Sequence, residues 1–213
     1  MRRTRVFPWY VAAAEVAVAA VVVVLDLLVP TLVILGLAGL SSLARRSGPA
    51  ALGFTRMARP GRMAVQVLAL TAGWALVQLG LVMPVVERLT GATQDVSDFA
   101  IVEGDPAVLG GLLLLTWTIA AVGEETAYRG YLFTRARECL GLAGAVIVPS
   151  VLFGLAHTEQ GVVGVVLTTL DALALTWLRL HYRTLWAAVL GHGFNNTIGL
   201  VTFFLVGPVG ALW

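Results

Sequence analysis

The chain has no lysine and a single cysteine, and only 12% of its 213 residues are charged. An ordinary soluble domain carries roughly a quarter charged residues, so this poverty argues against a water-soluble globule. All 14 basic side chains are Arg, and against 12 carboxylates they leave a net charge of only +2. That excess is too small for a nucleic-acid binder. Cys139 alone forms no intramolecular disulfide and carries no redox information. Fixed-period repeats, low-complexity tracts and a linker long enough to separate a second domain are likewise missing from the sequence.

What remains is apolar: hydrophobic residues make up 59% of the chain. Apolar segments run from Pro8 to Leu28, Pro30 to Leu43, Met63 to Val86, Ala107 to Val122 and on into Phe133, and Leu142 to Ala156. They continue from Val162 to Leu180, from Leu185 to Leu190 and on past Asn196, and from Ile198 to Leu212. A helix of about 20 residues spans about 30 Å of hydrocarbon. Several segments are full spans and others are short enough to need tilt or partial crossing. The expectation is an all-α, polytopic bundle of about eight transmembrane helices forming one membrane-embedded domain, 1–213. Residues 1–105 supply N-terminal anchor helices and loops, and 106–213 the helical core that carries the chemistry. The apolar stretch after Arg2, Arg3 and Arg5 is too long for the core of a signal peptide and reads as an anchor helix.

Charge sets the expected orientation. Arg2, Arg3 and Arg5 precede the first helix, and Arg45, Arg46, Arg56, Arg59 and Arg62 lie between the second and third. Both segments are expected in the cytoplasm by the positive-inside rule. The stretch from Glu87 to Asp105 holds Glu87, Asp95, Asp98, Glu103 and Asp105 against one Arg88 and is expected outside. Arg135, Arg137, Arg179 and Arg183 return to the cytoplasm. An even number of spans then places both termini, Trp213 included, on the cytoplasmic side of the cell membrane.

An ionisable side chain at mid-bilayer costs on the order of 2.5 to 3.5 kcal/mol and usually faces the bundle interior for a purpose. Three clusters qualify. In Val122-Gly123-Glu124-Glu125-Thr126-Ala127-Tyr128-Arg129, Glu125 and Arg129 share a helix face and can pair, while Glu124 points about 100° away and lacks that partner. Phe153 and His157 lie one turn apart, as do His192 and Asn196. Taken singly, a buried salt-bridge knot, a hydrogen-bonded core histidine and interhelical amide glue account for them. Together they are more informative. At 1.5 Å per residue, Glu124 is about 17 Å from Arg135, His157 about 24 Å from Gly141 and His192 about 14 Å from Arg183, depths that overlap near the bilayer middle. One carboxylate and two imidazoles are therefore expected in one cavity. Two His and one Glu with an open position match a ligand set for catalytic zinc. The same groups also fit metal-free chemistry, with the carboxylate as general base.

These residues also carry a resemblance. Glu124-Glu125-x-x-x-Arg129, Phe153-x-x-x-His157 and His192-x-x-x-Asn196, in this order, resemble the motifs of the CPBP intramembrane protease family. That group comprises the CAAX prenyl proteases and bacteriocin-processing enzymes and is also called Abi. The flanks Arg129-Gly130-Tyr131-Leu132-Phe133 and Arg183-Thr184-Leu185-Trp186-Ala187-Ala188 agree. The likeness covers about Val122 to Thr197, and the N-terminal helices share only hydrophobicity. The resemblance implies peptide-bond hydrolysis within the membrane by an activated water. Glu124 would activate that water, or hold Zn2+ with His157 and His192. Asn196 and His192 would stabilise the oxyanion, with Glu125 and Arg129 orienting the others. Expected partners are membrane lipids and a membrane-associated protein or peptide substrate, with no nucleic acid.

Other chemistries fit less well. There is no H-E-x-x-H helix, no G-x-S-x-G turn and no paired membrane aspartates, and Cys139 has no adjacent His to activate it. Two non-protease readings remain: a non-catalytic scaffold or bacteriocin-immunity-type protein of the same fold, and a small proton-coupled transporter. Matching halves would favour the transporter, and the sequence has none. Outside the motifs, Glu15 and Asp26 fall on nearly one stripe and are expected to face the bundle, Asp26 alternatively marking the outer interface. Asp171 is expected to pair with Arg129, or else with Thr168 or Thr169. His181, between Arg179 and Arg183, reads as interfacial.

Overall fold

A computed structural model describes residues 6–207. The expectations that concern Arg2, Arg3, Arg5 and Trp213 lie outside the described residues. Among those described, the chain is helical with no strands. Helix α1 is Trp9–Val24 and α2 is Pro30–Arg45. Helix α3 runs without a break over Pro60–Thr90. Helices α4 and α5 cover 106–140 and 142–155, separated at Gly141, whose φ of 72° reverses the chain. Helix α6 is Gly161–Tyr182 and α7 is Leu185–Val206.

Local chemistry explains the boundaries. Pro30, Pro60 and Pro106 occupy first helical positions, where a missing N–H costs nothing. Asp105 caps α4 by accepting from the Ala107 and Val108 amides. Arg46, Gly91 and Arg183 end their helices in the left-handed conformation. The stretches Pro60–Thr90, Pro106–Leu155, Thr158–Tyr182 and Leu185–Val206 are each long and apolar enough to cross a membrane, the second of them being α4 and α5 together. Helices α1 and α2, at 16 residues each, are shorter.

Among the described residues seven helices stand, against an expectation of about eight. The last two apolar segments, expected to meet near Ile198, are one helix, α7. Phe7 lies against Arg45 at one end of the bundle, whereas Phe203 packs near Phe99 at the other. The described chain thus starts and finishes at opposite ends.

Helix α4 is the hub. On one side Ala127, Tyr128 and Leu132 pack with Ala19 and Val23 of α1, Ile34 and Ala38 of α2, and Leu152 and Phe153 of α5. On the other side Ala121 joins Val67 of α3, Leu175 and Leu178 of α6, and Ala187 and Ala188 of α7. Small residues set the closest approaches. At Gly154 an added Cβ would lie 2.7 Å from the Val165 carbonyl of α6. Large apolar side chains such as Leu40, Val65, Leu114, Ile147 and Leu205 point outward, as lipid contact requires.

The two ends differ in charge. Arg45, Arg46, Arg56, Arg59, Arg62, Arg135, Arg137, Arg179 and Arg183 gather at one end. There Arg45 bridges to Glu15 at 2.7 Å and Arg135 to Glu138 at 2.9 Å. Glu15 does face the bundle, and Asp26 is exposed at the far end of α1. The segment before α3 is tied to the α6–α7 turn, with the Leu185 amide donating to Gly53 at 2.7 Å and Thr184 Oγ1 to Thr55 at 3.1 Å. The opposite end carries Asp26, Glu87, Asp95, Asp98, Glu103, Asp105 and Glu159, with Arg88 as its one arginine among the described residues. There the Asp95 amide donates to the Gln160 carbonyl at 3.1 Å, and Gln94 Nε2 to Gln160 Oε1 at 2.9 Å.

Candidate active site

Through Thr116–Leu132, α4 is wound in wide π-type turns. Departures of this kind recur at functional sites, and this one carries Glu124, Glu125 and Arg129. Glu125 and Arg129 are both fully buried, and Arg129 Nη1 donates to Glu125 Oε1 at 2.9 Å. The same oxygen meets His192 Nδ1, also at 2.9 Å. That oxygen already accepts from Arg129, so Nδ1 is the donor and carries a hydrogen. His192 Nε2 then faces Glu124, whose Oε2 is 3.7 Å away.

Phe153 organises the other side. The Arg129 guanidinium lies 4.1 Å from its ring centroid, a cation–π contact that helps hold a buried charge. The rings of His157 and His192 lie 4.7 and 5.9 Å from the same ring. His157 follows the end of α5, and its Nδ1 donates to the Phe153 carbonyl at 2.8 Å, which leaves Nε2 free. In the sequence Phe153 marked only a shared face with His157; its place between an arginine and two histidines rests on contacts from α4 and α7.

Glu124, His157, His192 and Asn196 line one cavity of about 560 Å³ together with Gln78, Asp171 and Asn195. The structure thus places Glu125 and Arg129 behind His192 and brings the other four expected residues to the cavity wall. Among the described residues, no three His, Cys, Asp or Glu side chains are drawn close enough to hold a metal ion. Glu124 and His192 approach each other, but His157 is not gathered with them as a third ligand in this conformation.

Asp171 differs from expectation. It pairs neither with Arg129, which is engaged by Glu125 and Phe153, nor with Thr168 and Thr169, whose hydroxyls donate to the Gly164 and Val165 carbonyls of their own helix. Instead Asp171 accepts from Trp74 Nε1 at 2.6 Å, Gln78 Nε2 at 3.3 Å and Asn195 Nδ2 at 3.4 Å. It ties α3 to the helix that carries His192 and Asn196. His181 is exposed and stacks on Trp177 at 4.9 Å, as an interfacial residue does.

No curated protein and no solved structure matches the chain. A family model does: the one described as Type II CAAX prenyl endopeptidase Rce1-like matches residues 106–198. That span runs from the first turn of α4 to just beyond Asn196 and contains all seven motif side chains. Over α4 to α7 the chain is therefore similar to the CAAX prenyl endopeptidases, the group whose motifs its sequence resembles.

Proposed function

We propose that the protein is an intramembrane endopeptidase that hydrolyses a peptide bond of a membrane-associated substrate. The observation that carries this reading is the shared Glu125 oxygen. It fixes the His192 ring so that Nε2 and the Glu124 carboxylate face each other across 3.7 Å at the wall of a cavity. A water seated beside both gives its proton to Glu124 as its oxygen adds to the scissile carbonyl carbon. The Asn196 amide donates to the oxyanion that forms. Glu124 then returns the proton to the departing amine, and the bond to nitrogen breaks. His157, with Nε2 free, faces the same cavity and helps hold water or substrate. Glu125 and Arg129 act through His192, and no step is routed through a metal.

Cleavage of a membrane-associated candidate peptide by the purified protein, with and without chelator, tests the reading. Wild type is expected to cleave in both conditions, and Glu124→Gln to lose cleavage while accumulating normally. Loss of wild-type activity on chelation would give Glu124, His157 and His192 to zinc. Cleavage unaffected by Glu124→Gln would remove Glu124 from the chemistry, and no cleavage by the wild type in either condition would leave a non-catalytic role for the fold.

A further inference from the structure

The cavity that holds Glu124 and His192 is closed toward the arginine-rich end and reaches the acidic end. Its deep wall is Glu124, His192 and Asn196, and its outer wall is Glu87, Thr93, Gln94 and Gln160. Toward the arginine-rich end, the space below the catalytic residues is filled by the packing of Leu185, Ala187 and Ala188 against α3 and α6. It is sealed further by the strap that Gly53 and Thr55 form on the α6–α7 turn. At the acidic end, Thr93 and Asp98 are exposed and Gln94 is half-buried. Glu87 Oε1 is buried there without a hydrogen-bond partner.

Nine arginines at one end against Arg88 at the other is a strong bias. Arginine-rich ends stay in the cytoplasm, and carboxylates contribute little to that choice. From the two observations together we infer that the catalytic cavity is entered from the extracytoplasmic face. The substrate is then a membrane-associated chain whose cleaved segment is exposed on that face. The unpartnered Glu87 oxygen and the carboxylates of the rim suit an entering peptide that brings N–H donors or basic side chains, because a carboxylate oxygen can only accept. The chemistry at the cavity floor rests on the peptidase reading. The side of entry does not.

Sided labelling tests it without turnover. In a Cys139→Ala background, Gln94→Cys, Thr168→Cys and Arg59→Cys are each treated with a small membrane-impermeant thiol reagent, in intact cells and in inverted membrane vesicles. Position 94 is expected to react in intact cells and position 59 only in inverted vesicles. Thr168 lines the same cavity farther in. Its cysteine is expected to react from the side that reaches 94, and to lose that reactivity in a double variant whose position 94 already carries a bulky maleimide. Asp98→Cys repeats the rim measurement if Gln94→Cys does not accumulate. Labelling of 94 or 98 only in inverted vesicles overturns the inference, as does labelling of 168 that a blocked position 94 leaves unchanged. Either result leaves the peptidase reading standing, whereas absence of cleavage by the wild-type protein would remove that reading and leave the side of entry as measured.

Discussion

Glu125 and His192 lie 67 positions apart in the chain and meet at 2.9 Å, carboxylate oxygen to ring Nδ1, with neither side chain more than slightly exposed. The contact joins the central helix to the last one and decides which ring nitrogen faces the cavity.

Glu125→Gln keeps the size of that side chain but removes the charge that fixes the ring. The imidazole is then free to present either nitrogen. Cleavage is expected to fall about 10- to 100-fold, as when residues that orient catalytic ligands are changed. Substrate KM should move little, and a steady-state kcat and KM measurement separates the two.

Arg129→Ala removes one partner of a fully buried pair and leaves Glu125 charged among apolar neighbours. A cost of about 3 to 5 kcal/mol is expected, read as less folded protein in the membrane and a lower thermal midpoint in detergent. Arg129→Lys should rescue only part of this, since an ammonium lacks the planar face that lies on Phe153. His181→Ala, at the exposed stack on Trp177, should change neither abundance nor activity.

The proposed mechanism has Glu124, His157 and His192 act on one water. Any single change to Ala is expected to abolish most cleavage, and double changes to add little beyond the worst single change, because groups that work as a unit are strongly non-additive. Asn196→Ala should be milder, at about 10²- to 10³-fold, as when one oxyanion donor is removed. Double-mutant cycles on purified protein check the pattern, and additive losses would count against a shared water.

Gly154 admits no side chain without displacing α6. Gly154→Ala is expected to cost about 1 to 3 kcal/mol, the usual range for overpacking. It should also lower activity, because Phe153 and His157 stand on either side of it. Thermal unfolding followed beside cleavage tests both parts.

Much of the site was legible because its residues come as short local patterns whose neighbours are known from spacing alone. Glu125 and Arg129 sit four apart, and their pairing follows from helical geometry. The partners of Asp171 did not follow, since Trp74 and Gln78 are roughly a hundred positions away and only the packing of α3 on α6 brings them near. Arg129 looked available to Asp171 because nothing in the sequence shows that the Phe153 ring covers it. The helix count came out one below about eight because the segments expected to meet near Ile198 are the single helix α7, whose Asn195 and Asn196 line a cavity inside the bundle. Depths measured from the arginine-rich loops put Glu124, His157 and His192 at overlapping levels, and all three line one cavity, but depth along a helix says nothing about which end of that cavity is open.

The Glu125–Arg129 bridge lies within a single helix, and this bears on how the protein is made. Helix α4 leaves the ribosome before α7, so its carboxylate and guanidinium can neutralise one another while that helix is still looking for neighbours. The most expensive charges of the molecule thus enter the lipid as a pair that needs no tertiary contact to form. His192 arrives later and docks onto an oxygen already in position. Until that last segment is threaded, Glu124 has no His192 ring facing it, and a chain caught partway through synthesis has not assembled the proposed site.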